Sequence, residues 1–164
     1  MATYHHGDLR SAVLEAAGAL IETEGLAGLS VREAARRAGV SHNAPYRHFA
    51  DREALLEGLA QEGVERLEQA LAGLSGRELG RAYVRFAQTH PQRFRLMFKR
   101  RSEAMQGHFA RAFAGLGADA NVAGAAAWSL VHGLACLILD RQLPGDDEFV
   151  AKVLGAMRFA QRSA

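Results

Sequence analysis

The stretch LSVREAARRAGVSHNAPYRHFADREALL, residues 29–56, decides the fold. Ser30 stands where a helix starts, and Glu33 three residues later completes a capping-box signature. That helix must be short, because Gly39 supplies a positive-φ turn just after Ala38. Ser41 then opens a second short helix running to about His48. Ser30–Arg37 and Ser41–His48 therefore form a helix-turn-helix candidate. Ala35 is small where two helix backbones cross, Gly39 makes the turn, and Val40 fills the space beneath it.

Working outward, Leu9, Val13, Ala16, Ala17, Leu20 and Ile21 recur at helical spacing after Asp8 and give a first helix ending near Gly25. Downstream, Asp51 caps a long fourth helix with Leu55, Leu56, Leu59, Leu67 and Leu74 on one side. Ser75 and Glu78 form a second capping-box pair and open a fifth helix. Pro91 fits the first position of a short sixth. A seventh carries Met105, Phe109, Ala112, Phe113 and Leu116, an apolar eighth runs from Asp119, and Asp146 or Asp147 caps a ninth. No segment alternates as a strand does. The expected fold is all-α with about nine helices: an N-terminal helix-turn-helix domain (1–50) and a C-terminal helical domain (51–164).

Composition narrows the function classes. A chain of 164 residues, 49% hydrophobic and 23% charged, lies in the ordinary globular range. Of its 20 basic residues all but Lys99 and Lys152 are Arg, which suits bidentate contacts to phosphate or guanine but also follows from a GC-rich genome. The single Cys136 excludes an internal disulfide framework and fits a reducing cytoplasm. Residues 122–139 lack any formal charge, but Ala and Gly dominate them, so burial between protein helices is expected rather than a membrane span. The histidines are scattered and no nucleophile–base–orienter set stands out, so no enzyme is expected and no cofactor is implied.

Residues 29–56 closely resemble the DNA-binding domain of the TetR family through Ser30, Tyr46, His48, Phe49, Arg52, Glu53, Leu55 and Leu56, and the resemblance extends from about Tyr4 to Leu59. It implies a dimeric transcriptional regulator, expected to be a repressor on a palindromic double-stranded DNA operator. It also implies roles. Arg32 resembles a groove or phosphate contact. Ser41, His42 and Asn43 lie at the start of the recognition helix, with Arg47 a further candidate. Tyr46 and His48 resemble a phosphate-facing pair, Phe49 a core plug, and Arg52 a phosphate grip at a helix N-terminus. Asn43 and Pro45 depart from the family pattern. Pro45 removes a backbone donor and restricts Ala44, so the recognition helix is expected to begin nearer Asn43.

The C-terminal half reads less sharply. Residues 82–98 together with Trp128, His132 and Gly133 resemble a TetR subgroup marked by a Trp-His-Gly signature. The resemblance implies a small-molecule cavity among the middle helices and a homodimer through the last two. Candidate cavity residues are Phe86, Phe94, Met97, Phe98, Met105, Phe109, Phe113, Trp128 and His132, and each can equally be plain core. Their apolar character points to a mainly apolar effector. Helix eight, apolar nearly all round, needs its own core on one side and a partner on the other. His132 and Cys136 share a face as a possible soft-metal or thiol pair, or as a satisfied His beside a thiol; no resident metal is expected. The basic run Arg93, Arg95, Lys99, Arg100 and Arg101 reads as a solvated helix face, an anionic-ligand entrance, or a region near DNA.

Overall fold

A computed structural model describes residues 8–99 and 120–156 of the chain. Among these residues every regular element is helical: α1 (Asp8–Glu24), α2 (Val31–Arg37), α3 (Arg52–Leu71), α4 (Gly76–Thr89), α5 (Pro91–Lys99), α6 (Ala120–Leu139) and α7 (Asp147–Ala156). Two short 3-10 turns, Leu26–Gly28 and Ala44–Arg47, flank α2. The all-α class holds, but the expected count of about nine helices becomes seven α-helices among the described residues. The segment read as a helix at Ser41–His48 is a single 3-10 turn, and the one carrying Met105 to Leu116 lies outside the described residues. Pro45 accounts for the first difference. It has no N–H to donate, it disfavours the α conformation at Ala44, and it sits at the start of the 3-10 turn.

The chain divides into two compact units, one built from residues up to 65 together with 92–100, the other from 66–91 with 101–164. In the first unit α1 packs on α2 and on both 3-10 turns. Its core joins Val13, Leu14, Ala17, Leu20 and Ile21 of α1 to Val31 and Ala34 of α2, Phe49, Leu55, Leu56 and Leu59, and Leu96 of α5. The short α5 is fixed here by charge as well as by packing. Glu22 of α1 accepts from the first free amides of α5, Gln92 N and Arg93 N, at 3.0 Å each. Arg93, only 4% exposed, pairs its guanidinium with Glu62 of α3.

In the second unit α4 packs against α6 and α7. α4 is strongly amphipathic, with Leu79, Tyr83, Val84, Phe86 and Ala87 buried. α6 buries Ala127, Val131, Leu134, Ala135 and Ile138, yet leaves Val122, Leu130 and Leu137 exposed at 65%, 49% and 45%. Asp146 settles the choice of cap for the last helix, since its Oδ1 accepts from Phe149 N at 2.8 Å. The expected Ser75 cap is not made: Ser75 forms no side-chain bond at the start of α4. No helix among the described residues is long and apolar enough to cross a membrane.

Candidate functional site

The helix-turn-helix region is built from its caps. Ser30 Oγ accepts from Glu33 N at 3.1 Å and starts α2. At the other end Gly39 takes φ +68°, and its amide reaches Arg36 O while Val40 N reaches Ala35 O. This is a Schellman closure, in which left-handed backbone at the residue after the cap lets two orphan carbonyls be satisfied. The chain then leaves α2 sharply and enters the second 3-10 turn. Pro45 and Phe49 anchor that segment, both buried, with the Phe49 ring close to Gly58 of α3.

Ser41, His42, Asn43, Tyr46, Arg47 and His48 are all exposed around this anchor, as is Arg32 on α2. Tyr46 is 41% exposed, which leaves its ring and hydroxyl open to a partner. The 3-10 turn brings residues three apart onto one side, so Asn43 and Tyr46 are near neighbours along it. These seven positions, all expected to touch DNA, share one continuous segment and its adjoining helix.

Arg52 is held differently. Its Nε donates to Leu29 O at 3.0 Å and its Nη2 to Leu26 O at 2.6 Å. The guanidinium thus braces the connection before α2, and Asp51 Oδ1 already takes Ala54 N at the start of α3. Arg36 and Arg37 are engaged too: both donate to Glu33, and Arg37 also pairs with Glu24.

The candidate ligand residues separate between the units. Phe94 and Met97 are buried in the first, the Phe94 ring tilted 60° against Phe98 at a centroid distance of 4.8 Å. Arg93 in the same helix is buried, so the basic run is not one solvated face; Arg95 and Lys99 are exposed, and Arg100 and Arg101 lie outside the described residues. Met105, Phe109 and Phe113 also lie outside them.

In the second unit Phe86 borders an open groove of about 490 Å³, shared with Ala70, Leu74, Ala82, Arg81, Arg85 and His90 among others. Trp128 and His132 meet at Tyr83 of α4, a residue outside the expected cavity set. Trp128 Nε1 donates to Tyr83 Oη at 3.2 Å, and Tyr83 Oη stands 2.9 Å from His132 Nδ1. Trp is a donor only, so the assignment that satisfies both contacts has the Tyr83 hydroxyl donating to Nδ1. His132 then carries its proton on Nε2, which faces Cys136 Sγ at 3.5 Å. Burial supports this assignment, holding the Tyr83 hydroxyl protonated far above its usual range and pushing His132 below its own. The contacts from Tyr83 span 45 and 49 residues of sequence, so no local spacing announces them. No group of three or more His, Cys, Asp or Glu among the described residues stands together to hold a metal.

Comparison with known proteins bears directly on this geometry. Residues 13–59, which hold most of the first unit, match the bacterial regulatory proteins of the tetR family, and residues 77–157 match a tetracyclin repressor-like C-terminal domain. The chain belongs to the TetR family. Its helix-turn-helix is accordingly that of a DNA-binding regulator of transcription. A solved structure of a Rhodococcus sp. RHA1 protein described as of unknown function is 34% identical over 95% of this TetR-family chain and 94% of that one, with a TM-score of 0.74. A TetR-family regulator from Streptomyces coelicolor A3 shares the fold at 23% identity, 94% coverage of each chain and a TM-score of 0.61. A multidrug binding protein, EbrR, solved with imidazole, shares it at 23% identity, 89% and 87% coverage and a TM-score of 0.65. No curated protein matches the chain.

Proposed function

We propose that this TetR-family regulator is a repressor that binds a palindromic operator as a homodimer and is released by a small, mainly apolar molecule. The observation that carries the DNA reading is the exposed run from Ser41 to His48, set on a buried Pro45 and Phe49. Polar and aromatic side chains are displayed there by a 3-10 turn, with Arg32 exposed on the adjoining helix. In this reading His42, Asn43 and Arg47 read base edges, while Arg32, Tyr46 and His48 hold phosphates. Arg52 acts with them by bracing the segment ahead of α2. The regulator works in the cytoplasm, where bacterial DNA is.

Dimerisation follows from α6. Val122, Leu130 and Leu137 form an apolar strip along it, and in a lone chain that strip meets water. Pairing α6 and α7 with the same helices of a second copy covers it and generates the two-fold axis a palindrome requires. The effector site is assigned to the C-terminal domain (residues 51–164), with Phe86, Trp128 and His132 among its walls. A ligand that favours one spacing of the two recognition segments over another shifts the population by its differential affinity.

The test combines two measurements on the whole protein. Light scattering should give the mass of two chains, and a thermal-shift screen of small apolar compounds should yield ligands that lower DNA affinity. Emission from Trp128, the only tryptophan, should change over the same ligand concentrations. A monomer that binds DNA tightly, or stabilising ligands that leave DNA affinity unchanged, would contradict the reading.

A further inference from the structure

The helix α2 carries three arginines in seven residues, Arg32, Arg36 and Arg37, beside a single acid. Each guanidinium that reaches a DNA phosphate displaces about 0.9 of a counterion, so three would give strong binding to any duplex whatever its sequence. Two of the three are already engaged by carboxylates. Glu33 grips Arg36 in bidentate fashion, Oε2 accepting from Nε at 2.8 Å and Oε1 from Nη2 at 2.6 Å. The same Oε1 accepts from Arg37 Nε at 3.1 Å, and Glu24 at the end of α1 takes the other side of Arg37. Two arginines and two carboxylates cancel in charge.

Glu33 was expected to complete a capping box, yet its carboxylate is given to the two arginines, and Ser30 alone serves the start of α2. Exposed ion pairs contribute little to stability, so stability is a poor reason for this arrangement. Arg52 is spent on the carbonyls of Leu26 and Leu29. Of the five arginines in residues 29–56, Arg32 and Arg47 are the exposed ones with no ion pair among the described residues.

We propose that Glu33 is a specificity-determining residue that works by subtraction: it holds Arg36 and Arg37 away from the phosphate backbone, so that tight binding depends on base contacts. The device is permanent rather than pH-gated. Hydrogen bonds from Arg36, then Arg37, hold the Glu33 carboxyl down to about 2, so it stays charged in any ordinary buffer. The inference rests on the helix-turn-helix being the DNA-binding element.

The test is Glu33→Gln in the full chain, with binding measured across a salt series to a mixed-sequence duplex and to a duplex selected from a random library. Gln keeps the length and can complete the capping box, so the helix signal in circular dichroism should persist. Binding to the mixed-sequence duplex should tighten, and its slope of log K against log salt should steepen by about 0.9 for each arginine released in each protomer. Per released arginine, that is roughly three- to fourfold more affinity lost between about 50 and 200 mM salt. The preference for the selected duplex should shrink correspondingly. In Glu33→Gln/Arg36→Gln/Arg37→Gln the slope should return to the wild-type value. An unchanged slope in Glu33→Gln overturns the proposal. So does a steeper slope that survives in the triple variant, since the effect would then be the loss of repulsion between Glu33 itself and DNA. A wild-type chain that binds no duplex overturns instead the helix-turn-helix reading beneath it, and the two failures are distinct.

Discussion

Gly18 lies in the middle of α1, where Ala would ordinarily stabilise a helix by about 1 kcal/mol. Here a methyl group would overlap Arg93 Nη2 and stand 2.8 Å from Arg93 Cζ. The guanidinium has no easy retreat, because its side chain is 5% exposed and its partner Glu62 only 16%. Displacing it separates a buried pair, which costs about 3–5 kcal/mol. Gly18→Ala should therefore destabilise the protein by about 2–4 kcal/mol after the helix gain is subtracted. Urea unfolding followed by circular dichroism at fixed protein concentration measures this, the fixed concentration removing the effect of assembly. The decisive control is the same substitution in an Arg93→Met background. There the methyl no longer meets a charged group, and Gly18→Ala should be neutral or stabilising by up to about 1 kcal/mol. An equal cost in both backgrounds would refute the claim that Gly18 is a notch for the buried arginine.

The remaining expectations concern the other parts of the molecule. Tyr83→Phe removes a hydroxyl that serves both Trp128 and His132, and should lower stability by about 1–3 kcal/mol and shift Trp128 emission. His132 is neutral when folded because burial lowers its pKa from 6.5, so the unfolded chain binds its proton first as pH falls. The stability it contributes is complete above that value and is lost as pH drops toward the lower folded one; His132→Gln should flatten this part of a pH–stability curve. Leu137→Asp, on the exposed strip of α6, should give monomers by light scattering and abolish operator binding while leaving the helix content intact. Arg52→Ala should cost about 1–3 kcal/mol in urea unfolding of the free protein, because two carbonyls lose their donor, and should weaken binding to all DNA sequences alike.

What the sequence made legible was local. Ser30, Gly39, Asp51 and Pro91 act within a few residues of themselves, and each starts or ends a helix where its spacing implies. Pro45 was legible as a disturbance, but not its size: a proline at the head of a four-residue segment leaves too few backbone bonds for an α-helix, and the tighter turn results. Long-range partnerships were not legible. Arg93 reads as one cation in an exposed basic run, and only the fold brings Glu22 from 71 residues away and Glu62 from 31 to receive that helix. Nor does any local spacing announce that Trp128 and His132 close on the Tyr83 hydroxyl, 45 and 49 residues away. Arg52 shows the same limit, since nothing local to a helix start tells that its guanidinium donates to the carbonyls of Leu26 and Leu29.

Selection of bound duplexes from a random DNA library by the purified protein tests the central claim most directly. The account predicts enrichment of a palindrome whose half-sites lie about one helical turn, roughly 34–36 Å, apart, matching two recognition segments related by a two-fold axis. Substitution of His42, Asn43 or Arg47 should relax the preference at particular positions, each worth about 1–3 kcal/mol. Enrichment of a single unrepeated half-site, or no enrichment over the starting library, would contradict it.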